Sequence, residues 1–134
     1  MRASIYGVRV AILALAAYWT ALSIATHLPR TVLHIVQRGT GWNDKPLHII
    51  AFAILAFLLA WAVPTDLKRR SRNVLIATAI GVAYAAIDEL TQIPVGRTAD
   101  WADFSADLFG ILTGIIVYVA MREAMLATSF RLKP

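Results

Sequence analysis

Four apolar runs, separated by short polar segments, constrain what this chain can fold into. They cover roughly Val8–Thr26, Pro46–Val63, Val74–Leu90 and Phe104–Met121. A helix needs about 20 residues, rising 1.5 Å each, to cross the hydrocarbon core of a bilayer. Because a spanning segment must satisfy its backbone polar groups internally, runs of this length favour helices. The sequence therefore predicts an all-α integral membrane protein, an up-down bundle of four transmembrane helices.

The composition agrees with a membrane location. The 134 residues are 59% hydrophobic and 16% charged, whereas soluble domains are about 45–50% apolar and about 25% charged. The length predicts a single domain over residues 1–134 without a separate catalytic module. Cysteine is absent, which excludes disulfides and thiolate chemistry.

The basic residues predict the orientation of the bundle. Nine of the thirteen fall at one end: Arg2, Arg9, Lys68, Arg69, Arg70, Arg72, Arg122, Arg131 and Lys133. Lys and Arg beside membrane segments mark the cytoplasmic side, so both termini and the loop of residues 64–73 are expected to be inside. The net charge of +5 is then a topology signal, and no nucleic-acid partner is expected.

The longest connection, His27–Lys45, lies outside in this topology. Arg30, His34 and Arg38 recur in it every four residues. That spacing favours a short amphipathic helix on the membrane surface. The alternative is an irregular loop with Trp42 as an interface anchor.

The outer ends of the second and third helices carry ionisable residues. Asp44 can cap the second helix, but His48 lies a turn deeper, where it needs a partner. The third helix ends with Asp88, Glu89 and Gln92, and acids there oppose the helix dipole. One interpretation is that Asp88 simply reaches headgroup water. Two acids and a Gln on neighbouring faces favour one acid pointing into the bundle, and we expect this to be Glu89.

The fourth helix adds a deeper carboxylate. Asp100 and Asp103 fit a cap and its first turn, whereas Asp107 lies one turn further in, where an unpaired charge costs several kcal/mol. Arg97, in the preceding loop, either pairs with one of these acids or points to water. The small residues Ala106, Gly110 and Gly114 form a stripe that lets another helix approach closely.

An up-down bundle brings these residues to the same level, so we predict an outward-facing polar pocket. Its candidate ligand-binding residues are Asp44, Lys45, His48, Glu89, Gln92, Arg97, Asp103 and Asp107.

Three segments resemble the VanZ-like family of small bacterial membrane proteins. They are "DKPLHIIAFAILAFLLA", "IDELTQIPVGRTADWADF" and "ADLFGILTG", in this order over roughly residues 43–119. The resemblance implies a multi-pass protein of the bacterial cytoplasmic membrane. The family takes its name from a member that lowers susceptibility to teicoplanin. Asp107 departs from the family pattern, which usually has Asn here.

Three functions remain open at this stage. The first is a cell-envelope protein whose pocket binds a lipid-linked wall or polysaccharide precursor through Arg97, His48 and Lys45. The second is an accessory subunit packed against a larger membrane complex. The third is an enzyme, in which His48, Glu89 and Asp107 act as acid–base groups or hold a metal. It is ranked last because a nucleophile with an obvious partner is missing, and Ser105 has no identifiable base. No cofactor or metal is expected, although a divalent cation would reconcile an acidic pocket with a phosphate ligand.

Overall fold

The computed structural model describes residues 5–28, 32, 39, 44–63, 70–95 and 99–131, and these residues form four α-helices. Helix α1 spans Ile5–Thr26, α2 spans Asp44–Ala62, α3 spans Arg70–Gln92 and α4 spans Trp101–Arg131. A 3₁₀ turn, Ile93–Val95, follows α3. The all-α class predicted from the apolar runs is confirmed.

Consecutive helices run in opposite directions. Thr26 at the end of α1 contacts Asp88 near the end of α3, and His48 near the start of α2 contacts Asp107 near the start of α4. One end of the bundle, here called the polar end, is therefore formed where α1 and α3 finish and α2 and α4 begin. This up-down arrangement places the ionisable residues of three helices at one level.

Three helices are long and apolar enough to span a bilayer: α2, residues Ser71–Gln92 of α3, and residues Trp101–Thr128 of α4. Helix α1 is also apolar, but only its shorter stretch Val10–Thr26 has described side chains. Large apolar side chains are exposed on the outer faces of the bundle, including Leu13, Leu75 and Ile116. Such faces suit contact with lipid acyl chains. Crossing by α1 stays a prediction.

Helix α4 is longer than the apolar run that predicted it. It has 31 residues, or about 46 Å at 1.5 Å per residue, against a hydrocarbon core of about 30 Å. The extra turns continue past Met121 to Arg131, through a segment that mixes charged residues such as Arg122 and Glu123 with apolar ones.

The core lies between α2 and its neighbours. Phe52, Leu55 and Ile111 are among its largest fully buried side chains. Tyr84 of α3 packs edge-on against Trp19 of α1, with ring centroids 5.0 Å apart. These contacts pack together the helices that carry the polar residues.

Two predictions fall outside the described residues. They are the surface helix of Arg30, His34 and Arg38, and the expected ion pair of Arg97.

Candidate functional site

A buried polar contact at the polar end joins α2 to α4. His48 Nδ1 lies 2.8 Å from Asp107 Oδ1, so the imidazole and the carboxyl group share a hydrogen bond. His48 is 6% exposed and Asp107 is 0% exposed. His48 lies four residues after Asp44, the first residue of α2. It is level with Asp107, which lies six residues, or about 9 Å, beyond the start of α4.

Glu89 of α3 completes what we call the His48 cluster: His48, Glu89 and Asp107. One ligand atom from each residue lies within 4.8 Å of the other two, and all three residues are buried. Glu89 Oε2 accepts the backbone N–H of Asp100 at 2.8 Å, which ties α3 to the start of α4. Glu89 thus points into the bundle.

The carboxylates of the His48 cluster are only half satisfied. Glu89 Oε1 and Asp107 Oδ2 are buried, and neither has a hydrogen-bond partner among the described residues. A buried carboxylate oxygen without a partner costs of order 1–3 kcal/mol or more. The cluster therefore has capacity to bind a proton, a cation or a hydrogen-bond donor.

Glycines on α4 explain how His48 and Asp107 approach each other. A Cβ built on Gly110 would overlap the carbonyl oxygen of Ile49, and one on Gly114 would overlap that of Ala53. Helix α2 thus packs directly on the backbone of α4. The contact involves Ile49, one residue after His48, and Gly110, three residues after Asp107. The small-residue stripe, which includes buried Ala106, faces α2 of the same chain at these two glycines.

Shallower residues surround the entrance to the cluster. Lys45 Nζ lies 3.7 Å from Asp103 Oδ1, with the lysine side chain 55% exposed. Asp44 and Asp103 also lie within ligand-atom reach of His48. Asp100 caps α4 by accepting the N–H of Ala102 at 2.9 Å.

A second polar network, the Asp88 network, joins α1 to α3. Asp88 is 1% exposed, so the interpretation that it reaches headgroup water is wrong. Its carboxylate accepts Thr26 Oγ1 at 2.8 Å, Gln92 Nε2 at 2.8 Å and the Tyr84 hydroxyl at 3.4 Å. These donors make burial of Asp88 tolerable.

The Asp88 network shows that one residue assigned to the predicted pocket contacts Asp88 instead of the His48 cluster. Gln92, placed in a single pocket by sequence reasoning, donates to Asp88. Thr26 and Tyr84 were missed because a lone hydroxyl in an apolar run carries no pattern. One signal was available: Tyr84 precedes Asp88 by four residues and therefore shares its helix face.

An apolar groove of about 380 Å³ between α3 and α4 leads to the cluster. Among its lining residues are Ala86, Leu90 and Phe104, with Glu89 as the buried acid. Trp101 at its rim is 83% exposed, as suits an aromatic side chain at a membrane interface. The apolar surface of the groove is therefore continuous with the His48 cluster at Glu89.

The cluster offers two kinds of chemistry. The His48–Asp107 pair can hold and transfer a proton, and the unpartnered oxygens can bind a positive group. Ser105 is exposed and donates to the carbonyl of Trp101 at 2.7 Å. That contact gives no sign of an activated nucleophile.

The fold and site define a helical membrane protein with a buried acid–histidine cluster at one end. A family model described as VanZ/LLP1 matches residues 10–122, a span that contains the whole His48 cluster. The chain belongs to the VanZ/LLP1 family. No curated protein and no solved structure matches it.

Proposed function

We propose that this protein binds the polar headgroup of a lipid-linked cell-envelope precursor at the outer side of the bacterial cytoplasmic membrane. The half-satisfied His48 cluster carries the proposal. Ionisable residues inside a membrane bundle are costly and mark binding or transport sites. A ligand that reaches Glu89 and Asp107 would supply the partners that the described residues leave missing.

A lipid is favoured over a soluble ligand by the groove beside the cluster. An acyl or prenyl chain lying between α3 and α4, against Leu90 and Phe104, would bring its headgroup next to Glu89. Lys45, exposed at the entrance, supplies a positive charge for a phosphate. The distribution of basic residues supports an outward-facing entrance.

The proposal is tested by measuring binding of a fluorescent polyprenyl-diphosphate-linked sugar to the protein in nanodiscs. We expect saturable binding that weakens at least tenfold in His48→Gln. The control ligand is the corresponding polyprenol, which lacks the phosphates and the sugar. Glu123→Gln, a change at the opposite end of α4, should bind like the parent. Equal affinity for polyprenol and precursor would refute a headgroup site.

A second candidate is an accessory subunit of a larger membrane complex. A groove of about 460 Å³ between α2 and α4, at the end opposite the cluster, favours it. Its lining residues are Phe57, Trp61, Tyr118, Met121, Arg122 and Met125. Aromatic residues, Met and Arg are enriched at protein interfaces. Purification in mild detergent distinguishes this candidate, because a fixed partner would copurify and Met125→Lys would release it.

A further inference from the structure

We infer that the His48 cluster is a binding site for one divalent transition-metal cation, coordinated by the His48 imidazole and the carboxylates of Glu89 and Asp107. This inference goes beyond headgroup binding, because a cation can be bound with or without a lipid. It rests on three observations: the convergence of the ligand atoms, the unpartnered oxygens and the charge of the cluster.

The first observation is geometric. The three ligand atoms lie within 4.8 Å of one another. Metal–ligand bonds to imidazole nitrogen and carboxylate oxygen are about 2.0–2.2 Å, so ligands on opposite sides of one ion are at most about 4.4 Å apart. Small side-chain adjustments are enough to close the site, and the direct packing of Gly110 on Ile49 fixes the backbones on which His48 and Asp107 stand.

The second observation is the pair of unpartnered oxygens. Glu89 and Asp107 are 6% and 0% exposed, and each keeps one buried oxygen without a hydrogen-bond partner among the described residues. The neighbouring Asp88 carboxylate, buried to the same extent, accepts three side-chain donors. The fold thus satisfies Asp88 with protein donors, whereas Glu89 and Asp107 keep oxygen atoms that are available as ligands.

The third observation is charge. A neutral imidazole with two carboxylates carries a charge of −2, which one divalent cation neutralises. Bringing that cation into a low-dielectric site removes the cost of two buried like charges. A bound cation would also give the acidic pocket a positive centre for a phosphate.

The ligand types select the class of ion. Ca²⁺ takes six to eight oxygen ligands, whereas imidazole with carboxylates suits ions such as Mn²⁺ and Zn²⁺. A second group, Asp44, His48 and Asp103, also comes within reach. It is less suited, because Asp103 already faces Lys45 and Asp44 is only partly buried.

Mn²⁺ binding to the metal-stripped protein in detergent, without lipid, tests the site directly. Electron paramagnetic resonance should count one bound Mn²⁺ per chain, with Ca²⁺ a poor competitor. Glu89→Gln and Asp107→Asn should each weaken binding at least tenfold, since even residues outside the coordination shell change affinity 10–100-fold. Glu123→Gln is the matched control and should keep the affinity of the parent.

If the variants do not fold, measurements on the parent protein still test whether the His48 cluster binds the metal ion. Electron spin echo measurements on bound Mn²⁺ should detect coupling to an imidazole nitrogen, and this coupling should persist in His27→Gln. Lack of stoichiometric binding, lack of nitrogen coupling, or parent-like affinity in both folded acid variants would each overturn the site. Because no lipid is present, these results are independent of the headgroup-binding test.

Discussion

Two consecutive acids of α3, Asp88 and Glu89, face different neighbours. Asp88 turns towards α1, where Thr26 donates to it, and Glu89 turns towards α4, where it accepts the N–H of Asp100. Successive residues on a helix are about 100° apart, so adjacent side chains reach different helices. Both acids tie α3 to a neighbouring helix, but of the two only Glu89 keeps an oxygen without a partner among the described residues, at the cluster.

Replacing Thr26 by Val tests whether the Asp88 network is structural. The change removes a 2.8 Å hydrogen bond to a buried carboxylate, so we expect the free energy of unfolding to fall by about 1–3 kcal/mol. Equilibrium unfolding in mixed detergent micelles measures the change. Thr113→Val is the control, because that exposed hydroxyl bonds only a carbonyl of its own helix, Phe109. An equal loss of unfolding free energy in both variants would argue against a structural role for the Asp88 network.

The sequence was enough to predict which polar residues lie at the same level of the bundle, but not which residues they contact. Helical spacing placed His48, Glu89 and Asp107 at one level without any structure. The choice between Asp88 and Glu89 also needed the rotation of α3 about its axis. That rotation is set by packing of residues such as Tyr84 against Trp19, which a single sequence does not display.

At the scale of elements, the contact between α2 and α4 positions the cluster. Both glycines meet backbone atoms of α2, and backbone cannot move aside as a flexible side chain can. The sequence showed the small-residue stripe but not its partner, since any of the other helices, or another protein, could have filled it. The four helices themselves were predictable, because long apolar runs in a bilayer leave few alternatives.

Gly110→Ala should separate α2 from α4. The added methyl group overlaps the Ile49 carbonyl oxygen, and overpacking of this kind typically costs about 1–3 kcal/mol. The matched control is Gly81→Ala on α3, whose Cβ would lie 3.4 Å from the side-chain atom Ile111 Cδ1. Unfolding in mixed micelles should show a clear loss for Gly110→Ala and little for Gly81→Ala. Similar stability of the two variants would mean that the close approach is not required.

At the scale of the whole molecule, charge and polarity are distributed unevenly. The polar end carries the His48 cluster and the Asp88 network, whereas nine of the thirteen basic residues are predicted at the other end. The positive-inside rule then predicts that the polar end faces outward. This predicted orientation rests on the charge bias rather than on the helix packing, which would be the same in either direction.

The lack of native cysteine makes the orientation simple to measure. A membrane-impermeant thiol reagent added to intact cells should label Thr98→Cys, in the predicted outer loop. Lys68→Cys, in the predicted inner loop, should be labelled only after the cells are opened. The reverse pattern would show that the polar end faces the cytoplasm.

The distance along the chain between His48 and Asp107 has a consequence for biosynthesis. The two residues are 59 positions apart, so α2 enters the membrane well before α4 has been made. During that interval His48 lacks its carboxylate partner, and the surface that will receive Gly110 and Gly114 faces lipid. Assembly of the pocket therefore coincides with arrival of the last helix, and a chain interrupted before α4 carries a histidine in the membrane but no site.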